Sequence, residues 1–157
     1  MASIGNGVSL RGIFIEDFQF TFLVSGGVDV TIADAGVGAV MLDTAAANTV
    51  KLATDGATIL GRLEVYENRT IEGIVVGTVS LAGGMKFLVN PDATASSPDE
   101  TPAVGDYIVG AVSDAGKKGY VRKATTVELA LGTKAKWQVV EIGVDADSNN
   151  YVIAISV

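Results

Sequence analysis

Apolar and polar residues alternate over short stretches along most of this chain, and each stretch ends in glycine or small polar residues. Alternation with a period of two is the mark of a strand with one covered face. Ile13 to Val24 is the first such segment: Phe18, Phe20 and Phe22 share one face, with Gln19 and Thr21 opposite. Ser25-Gly26-Gly27 breaks it. Val28 to Ile32 reads as a second short strand, followed by a turn at Ala33-Asp34-Ala35-Gly36. Ala39 to Leu42 is extended, and Asp43 to Asn48 is a connection with room for one helical turn. Thr49 to Leu52 and Ile59 to Tyr66 are strands flanking the Asp55-Gly56 turn. Glu72 to Leu81 and Met85 to Val89 are expected to form a hairpin around Gly83-Gly84.

The texture then changes. Asn90 to Ala103 holds all three prolines and no large apolar residue, and reads as a long exposed loop. Strands resume at Asp106 to Val112 and at Tyr120 to Lys123, with Asp114 to Gly119 as the turn between them. Ala124 to Gly132 is the best helix, with Thr125 or Thr126 able to cap it and Gly132 able to end it. Trp137 to Val144 and Tyr151 to Val157 are strands joined by Asp145 to Asn150. The first twelve residues are small and polar and read as a flexible N-terminal arm. The expected fold is all-β: a single small β-barrel or β-sandwich domain over residues 13–157, the arm at 1–12, and at most one short helix.

Composition narrows the chemistry. The 157 residues include no histidine and no cysteine, the commonest general base and metal ligand and the strongest nucleophile. Eighteen acidic against eleven basic residues give a net charge of −7, which argues against a sequence-independent nucleic-acid binder. A mean hydropathy of +0.41 is high, yet no apolar run approaches a membrane span. The apolar excess is expected in a core plus a protein–protein interface. The N-terminus lacks a secretion signal's basic flank and apolar core, so synthesis and use from a cytoplasm are expected. No enzyme activity, metal or cofactor is expected.

Individual motifs are weak. Asp145, Asp147 and Asn149 have the spacing that opens a calcium loop, but Asn150 and Ser156 stand where glycine and glutamate are needed. Glu64, Glu67 and Glu72 invite an acid/base reading, although carboxylates among arginines more often form a solvated face of ion pairs. Gly26-Gly27, Gly36-Val37-Gly38 and Gly83-Gly84 match no phosphate-binding fingerprint. Asn68-Arg69-Thr70 is a glycosylation sequon by letter only. Lys117, Lys118, Arg122 and Lys123, with Lys134 and Lys136 downstream, form the one basic cluster. Tyr120 is the only aromatic residue interleaved with it, so a solvated hairpin or a contact with an acidic protein is expected.

The run Asn90 to Asp106 with Tyr107-Ile108-Val109-Gly110 resembles capsid decoration, or cement, proteins of tailed bacteriophages. So do Val37 to Asp43 before Thr44-Ala45-Ala46-Ala47-Asn48, Ile59 to Glu64, and the Trp137 to Glu141 strand. The similarity covers roughly residues 20–157. It implies a β-rich domain on the outside of a phage head, made in the host cytoplasm, that clamps neighbouring major capsid subunits. It further implies a homotrimer, with a dimer as the alternative, and an N-terminal arm that orders on the shell. Within this reading Arg11, Ile13, Phe14 and Ile15 are the expected capsid contacts. Pro98, Asp99, Glu100 and Pro102 are the second candidate, for capsid or oligomer contact. The rival is a carbohydrate-binding or adhesin-like β module, and a weak exterior glycan contact stays open beside the capsid role. A nucleotide-binding trimeric β enzyme would need clustered arginines, and Arg11, Arg62, Arg69 and Arg122 are dispersed.

Overall fold

The structure is a computed structural model and describes residues 19–25, 30–92, 101–130 and 136–157. The arm at 1–12 with Arg11, the residues Ile13, Phe14 and Ile15, and Pro98, Asp99 and Glu100 lie outside the described residues. So do Gly26, Gly27, Val28, Gly132 and Lys134.

Among the described residues, ten strands and one short α-helix make an all-β fold of two sheets. Strands β1 (Gln19–Val24), β2 (Ala39–Leu42), β3 (Thr49–Leu52), β4 (Gly61–Arg69) and β5 (Ile74–Ser80) close into a barrel in the order β1-β3-β2-β4-β5. Strands β6 (Gly84–Leu88), β7 (Tyr107–Ala111), β8 (Tyr120–Lys123), β9 (Trp137–Val144) and β10 (Asn150–Ser156) form the second sheet, ordered β6-β10-β9-β7-β8. An isolated parallel bridge between Val89 and Val121 links its two outermost strands.

Each sheet has its own apolar interior. Val30, Val40, Val50, Leu52, Leu63 and Val79 fill the barrel. Met85, Phe87, Ile108, Val121, Trp137, Val139 and Val152 fill the second sheet, joined there by Ala39, Ala53 and Ile59 from the barrel side. Phe87 and Trp137 meet edge to face at 5.3 Å, and the indole Nε1–H donates to the Ile59 carbonyl at 3.2 Å. The tryptophan therefore ties the two interiors together with one polar contact and a large apolar one.

Backbone joins them as well. The Ala39 amide donates to Gly119, the Gly119 amide to Ala53, the Gly56 amide to Gly110, and the Gly110 amide to Ala57, all within 3.0 Å. Such contact needs small residues. A Cβ on Gly110 would collide with the Thr54 carbonyl and lie 2.8 Å from the Ala53 Cβ.

Several expectations are corrected. Leu81 to Gly83 is a crossover, not the turn of a hairpin: β5 is paired on both edges, with β1 and β4, and β6 pairs with β10. Val30 to Ile32 is not strand, and the turn expected at Ala33 to Gly36 begins one residue early as a 3-10 turn over Ile32–Asp34, because Asp34 Oδ2 accepts from the Thr31 amide and hydroxyl and curls the backbone. Asp43 to Asn48 contains turns and no helix. Strand β4 starts two residues later than expected and runs on to Arg69, pairing with β5 to the end of a true hairpin. The proline-containing loop is anchored at both ends: Asn90 and Pro102 are buried, and the Asp92 carboxylate accepts the Asp114 amide. The helix α1 (Thr126–Ala130) carries the expected cap, since Thr125 Oγ1 accepts from the Glu128 amide while Glu128 Oε2 accepts from Thr125.

Gly110→Ala is expected to destabilise the protein by about 1–3 kcal/mol through backbone overpacking at this junction. Urea unfolding followed by Trp137 fluorescence measures it, and an unchanged midpoint would show that the seam yields freely.

Candidate interaction surface

Strand β4 departs from simple alternation at one residue. Leu63 faces Val79 and Val65 faces Thr78, so Glu64 is the extra residue of a β-bulge. The bulge shifts the phase of the strand. Leu63 points into the barrel, Tyr66 packs against the same core, and Val65 is turned outward. The hairpin then extends to a tip at Thr70 to Gly73, where Gly73 adopts φ 67°. Ile71 at that tip is fully exposed, and Ile74 and Val65 are exposed below it. These are apolar residues without a covering partner among the described residues.

The charged groups of the same strand are engaged. Arg62 holds Glu64 with Nε–Oε1 2.8 Å and Nη2–Oε2 2.9 Å, and both side chains are about nine-tenths buried. Arg62 also donates to the Lys86 carbonyl at 3.5 Å, across to the second sheet. Arg69 pairs with Glu67 at 3.1 Å and with Glu72 at 3.5 Å on the exposed tip. Its guanidinium is raised above its ordinary value, chiefly by the Glu67 hydrogen bond. The three glutamates singled out in the sequence are thus each paired with an arginine. Glu67 and Glu72 form a solvated pair of contacts with Arg69, whereas Glu64 is buried.

The basic cluster resolves in the same way. Arg122 donates from Nε to Asp55 at 2.8 Å and from its terminal nitrogens to Glu128 at 2.9 and 3.0 Å. This ties the turn after β3 to β8 and α1. Burial pulls the Arg122 guanidinium down, but the hydrogen bonds of Glu128 and Asp55 outweigh it and leave the group raised. Lys123 pairs with Asp106 at 3.1 Å, and Lys117 approaches the buried Asp34 at 3.9 Å and the Tyr120 ring. The cations here serve the fold.

The Asp145 loop is closed on itself. Asp145 Oδ1 accepts from the Asp147 and Asn149 amides at 3.0 and 2.9 Å, and Oδ2 pairs with Lys86 at 3.4 Å. Its carboxyl is lowered, first by the Asn149 amide. Among the described residues no group of three or more acidic side chains could hold a metal ion.

A second surface lies between the two sheets. An open cleft of ≈ 450 Å³ is lined by apolar side chains, among them Met41, Leu42, Leu60, Leu81, Trp137 and Val157, and by the polar residues Thr44, Thr58, Lys136 and Ser156. Of the expected site residues, Pro102 is the one whose surroundings are described; it is buried, while Ala103 and Val104 beside it are exposed. Neither Val65, turned out by the bulge, nor the cleft was singled out in the sequence. Ile71 lies between the expected strands Ile59 to Tyr66 and Glu72 to Leu81, where an isolated isoleucine carries no signal.

Comparison of the chain with models of protein families, with curated proteins and with solved structures finds no match in any of the three.

Glu128 is held at about 2, below its usual 4.5, first by the Arg122 hydrogen bond, against burial, with the Thr125 amide and hydroxyl adding to the effect. Between those two values the unfolded chain binds a proton that the folded chain refuses, so stability rises with pH there. Glu128→Gln should cost about 1–2 kcal/mol at neutral pH, allowing for partial solvent screening. The gap between variant and parent should close as pH falls from 4.5 towards 2, as read by chemical denaturation at each pH.

Proposed function

We propose that this chain is a structural protein that decorates the exterior of a tailed-phage capsid and stabilises the head by bridging neighbouring major capsid subunits. The observation that carries the reading is the β4–β5 hairpin, which presents Ile71, Ile74 and Val65 to solvent while its charged residues are paired with one another. Burying a side chain such as Ile71 against a partner is favourable by about 1.5–3 kcal/mol, so a projecting apolar tip suits a contact with a second protein. The resemblance in strand and turn sequence to decoration proteins supplies the class of partner, and the net charge of −7 fits a protein rather than a nucleic acid.

The carbohydrate-binding reading draws less support. Trp137, the one tryptophan, is 1% exposed, and the Tyr151 and Tyr120 rings are each covered on one side by a lysine.

In this proposal the protein acts as a homotrimer on the virion exterior, with the arm and the hairpin as its two contacts. Deleting residues 2–12 should leave the thermal unfolding midpoint unchanged and abolish binding to expanded heads. Ile71→Asp should weaken binding at least tenfold without loss of fold, the equivalent of about 1.4 kcal/mol. Purified heads, mature and immature, mixed with each protein and imaged by cryo-EM give the occupancy. Normal occupancy by both variants would overturn the assignment of these contacts, and empty heads with the parent protein would overturn the proposal itself.

A further inference from the structure

We propose that the cleft lined by both sheets is a binding site for a free, single-chain aliphatic carboxylate, an unbranched fatty acid of medium length. Its walls come from strand ends that the fold brings together. On the barrel side stand Met41 and Leu42 at the end of β2, Leu60 just before β4 and Leu81 just after β5. Opposite them are Trp137, which opens β9, and Val157, which follows β10. Backbone holds these ends in place. Ser156 is paired with Trp137, the Val157 amide donates to the Lys136 carbonyl at 2.9 Å, and the Leu60 amide donates to the Val40 carbonyl at 2.8 Å. The Trp137 indole reaches across to the Ile59 carbonyl. The walls are thus set before a ligand arrives, which leaves little ordering cost to binding.

Three observations select the ligand. The first is charge. Lys136 lines the cleft, is exposed and makes no ion pair among the described residues. Arg62, Arg69 and Arg122, by contrast, are each held by a carboxylate, as are Lys51, Lys86, Lys117 and Lys123. Among the described residues no acidic side chain lines the cleft. An anionic head group therefore meets an uncompensated cation and displaces no existing partner. Hydroxyls of Thr44, Thr58 and Ser156 stand in the same lining, and a hydroxyl can donate to a carboxylate oxygen.

The second observation is the character of the apolar wall. Met41, Leu42, Leu60 and Leu81 are aliphatic. Trp137 is 1% exposed, so it offers no open ring face on which a sugar or an aromatic ligand could stack. Leu42 and Val157 remain exposed there, and an alkyl tail would cover them.

The third is size. A cleft of ≈ 450 Å³ falls within the range of small-molecule sites, about 300–1,000 Å³. It suits one alkyl chain rather than the paired chains of a membrane lipid. Each methylene that the walls take out of water tightens binding by up to about fourfold. This site is independent of the capsid assignment, because it is complete in the free chain.

The test uses the full-length chain with no capsid present. Hexanoate, octanoate and decanoate are titrated below their micelle-forming concentrations, followed by calorimetry and by the emission of Trp137, the one tryptophan. The expected result is one saturable site per chain, with affinity rising several-fold at each step of the series and a shift in the Trp137 emission. Lys136→Met should weaken octanoate at least fivefold and leave octanol, which has the same tail and no charge, unchanged. Leu42→Asp should weaken both ligands at least fivefold. Both substitutions fall on exposed residues, and circular dichroism checks that the fold is kept. No saturable binding, or uptake of several molecules per chain without saturation, would overturn the site. Equal loss of octanol and octanoate in Lys136→Met would overturn the carboxylate as its head group. Vesicles containing anionic phospholipid should not sediment with the protein. Sedimentation with them, without a response to the free acids, would give the surface to a membrane and overturn the proposal.

Discussion

The close approach of backbone to backbone between the barrel and the second sheet is the constraint on which the rest of the molecule depends. Ala39, Ala53, Gly110 and Gly119 are the residues at which the sheets exchange main-chain hydrogen bonds. Larger side chains there would push the sheets apart and leave those amides and carbonyls buried without partners, which is costly. Because the approach is made by backbone, it fixes distance and angle more tightly than side-chain packing does. Trp137 can then reach the Ile59 carbonyl, and residues of both sheets line the cleft.

Charge follows from that geometry. Once the sheets are set, Arg62 lies between β4 and β6 and Arg122 lies between the turn after β3 and α1. Each guanidinium is largely buried and is met by carboxylates on planar, two-pronged contacts. Buried pairs of this type contribute little net stability compared with apolar packing, but they penalise alternatives in which one partner is left alone. They hold one relative placement of the elements.

Much of the strand pattern was legible in sequence, and the failures have specific causes. Short segments rich in β-branched and aromatic residues and bounded by clear glycine or aspartate turns, such as β7, β8 and the β9–β10 pair, stand out by composition and punctuation. The Thr125 to Glu128 box marks the helix start because the two side chains satisfy each other's backbone. The Gly83-Gly84 step misleads because a glycine pair serves a crossover as well as a hairpin. Only the knowledge that β1 occupies the other edge of β5 separates the two. The bulge at Glu64 is invisible to a period of two, and it inverts the roles of Val65 and Tyr66. The cleft is assembled from five separate stretches of chain, so no local motif could announce it. The arm residues Arg11, Ile13, Phe14 and Ile15 are expected contacts only within the decoration-protein reading, and they lie outside the described residues.

Closure of the barrel, together with the Val89–Val121 bridge across the second sheet, has a consequence for behaviour in crowded conditions. Unpaired strand edges are templates for sheet-to-sheet aggregation. In the barrel every strand has a neighbour on both sides, and in the second sheet the bridge occupies part of each remaining edge. A chain this rich in valine and isoleucine would otherwise polymerise through its backbone at high local concentration. Here the backbone is largely spoken for, and association is left to side chains, which can be selective about what they touch.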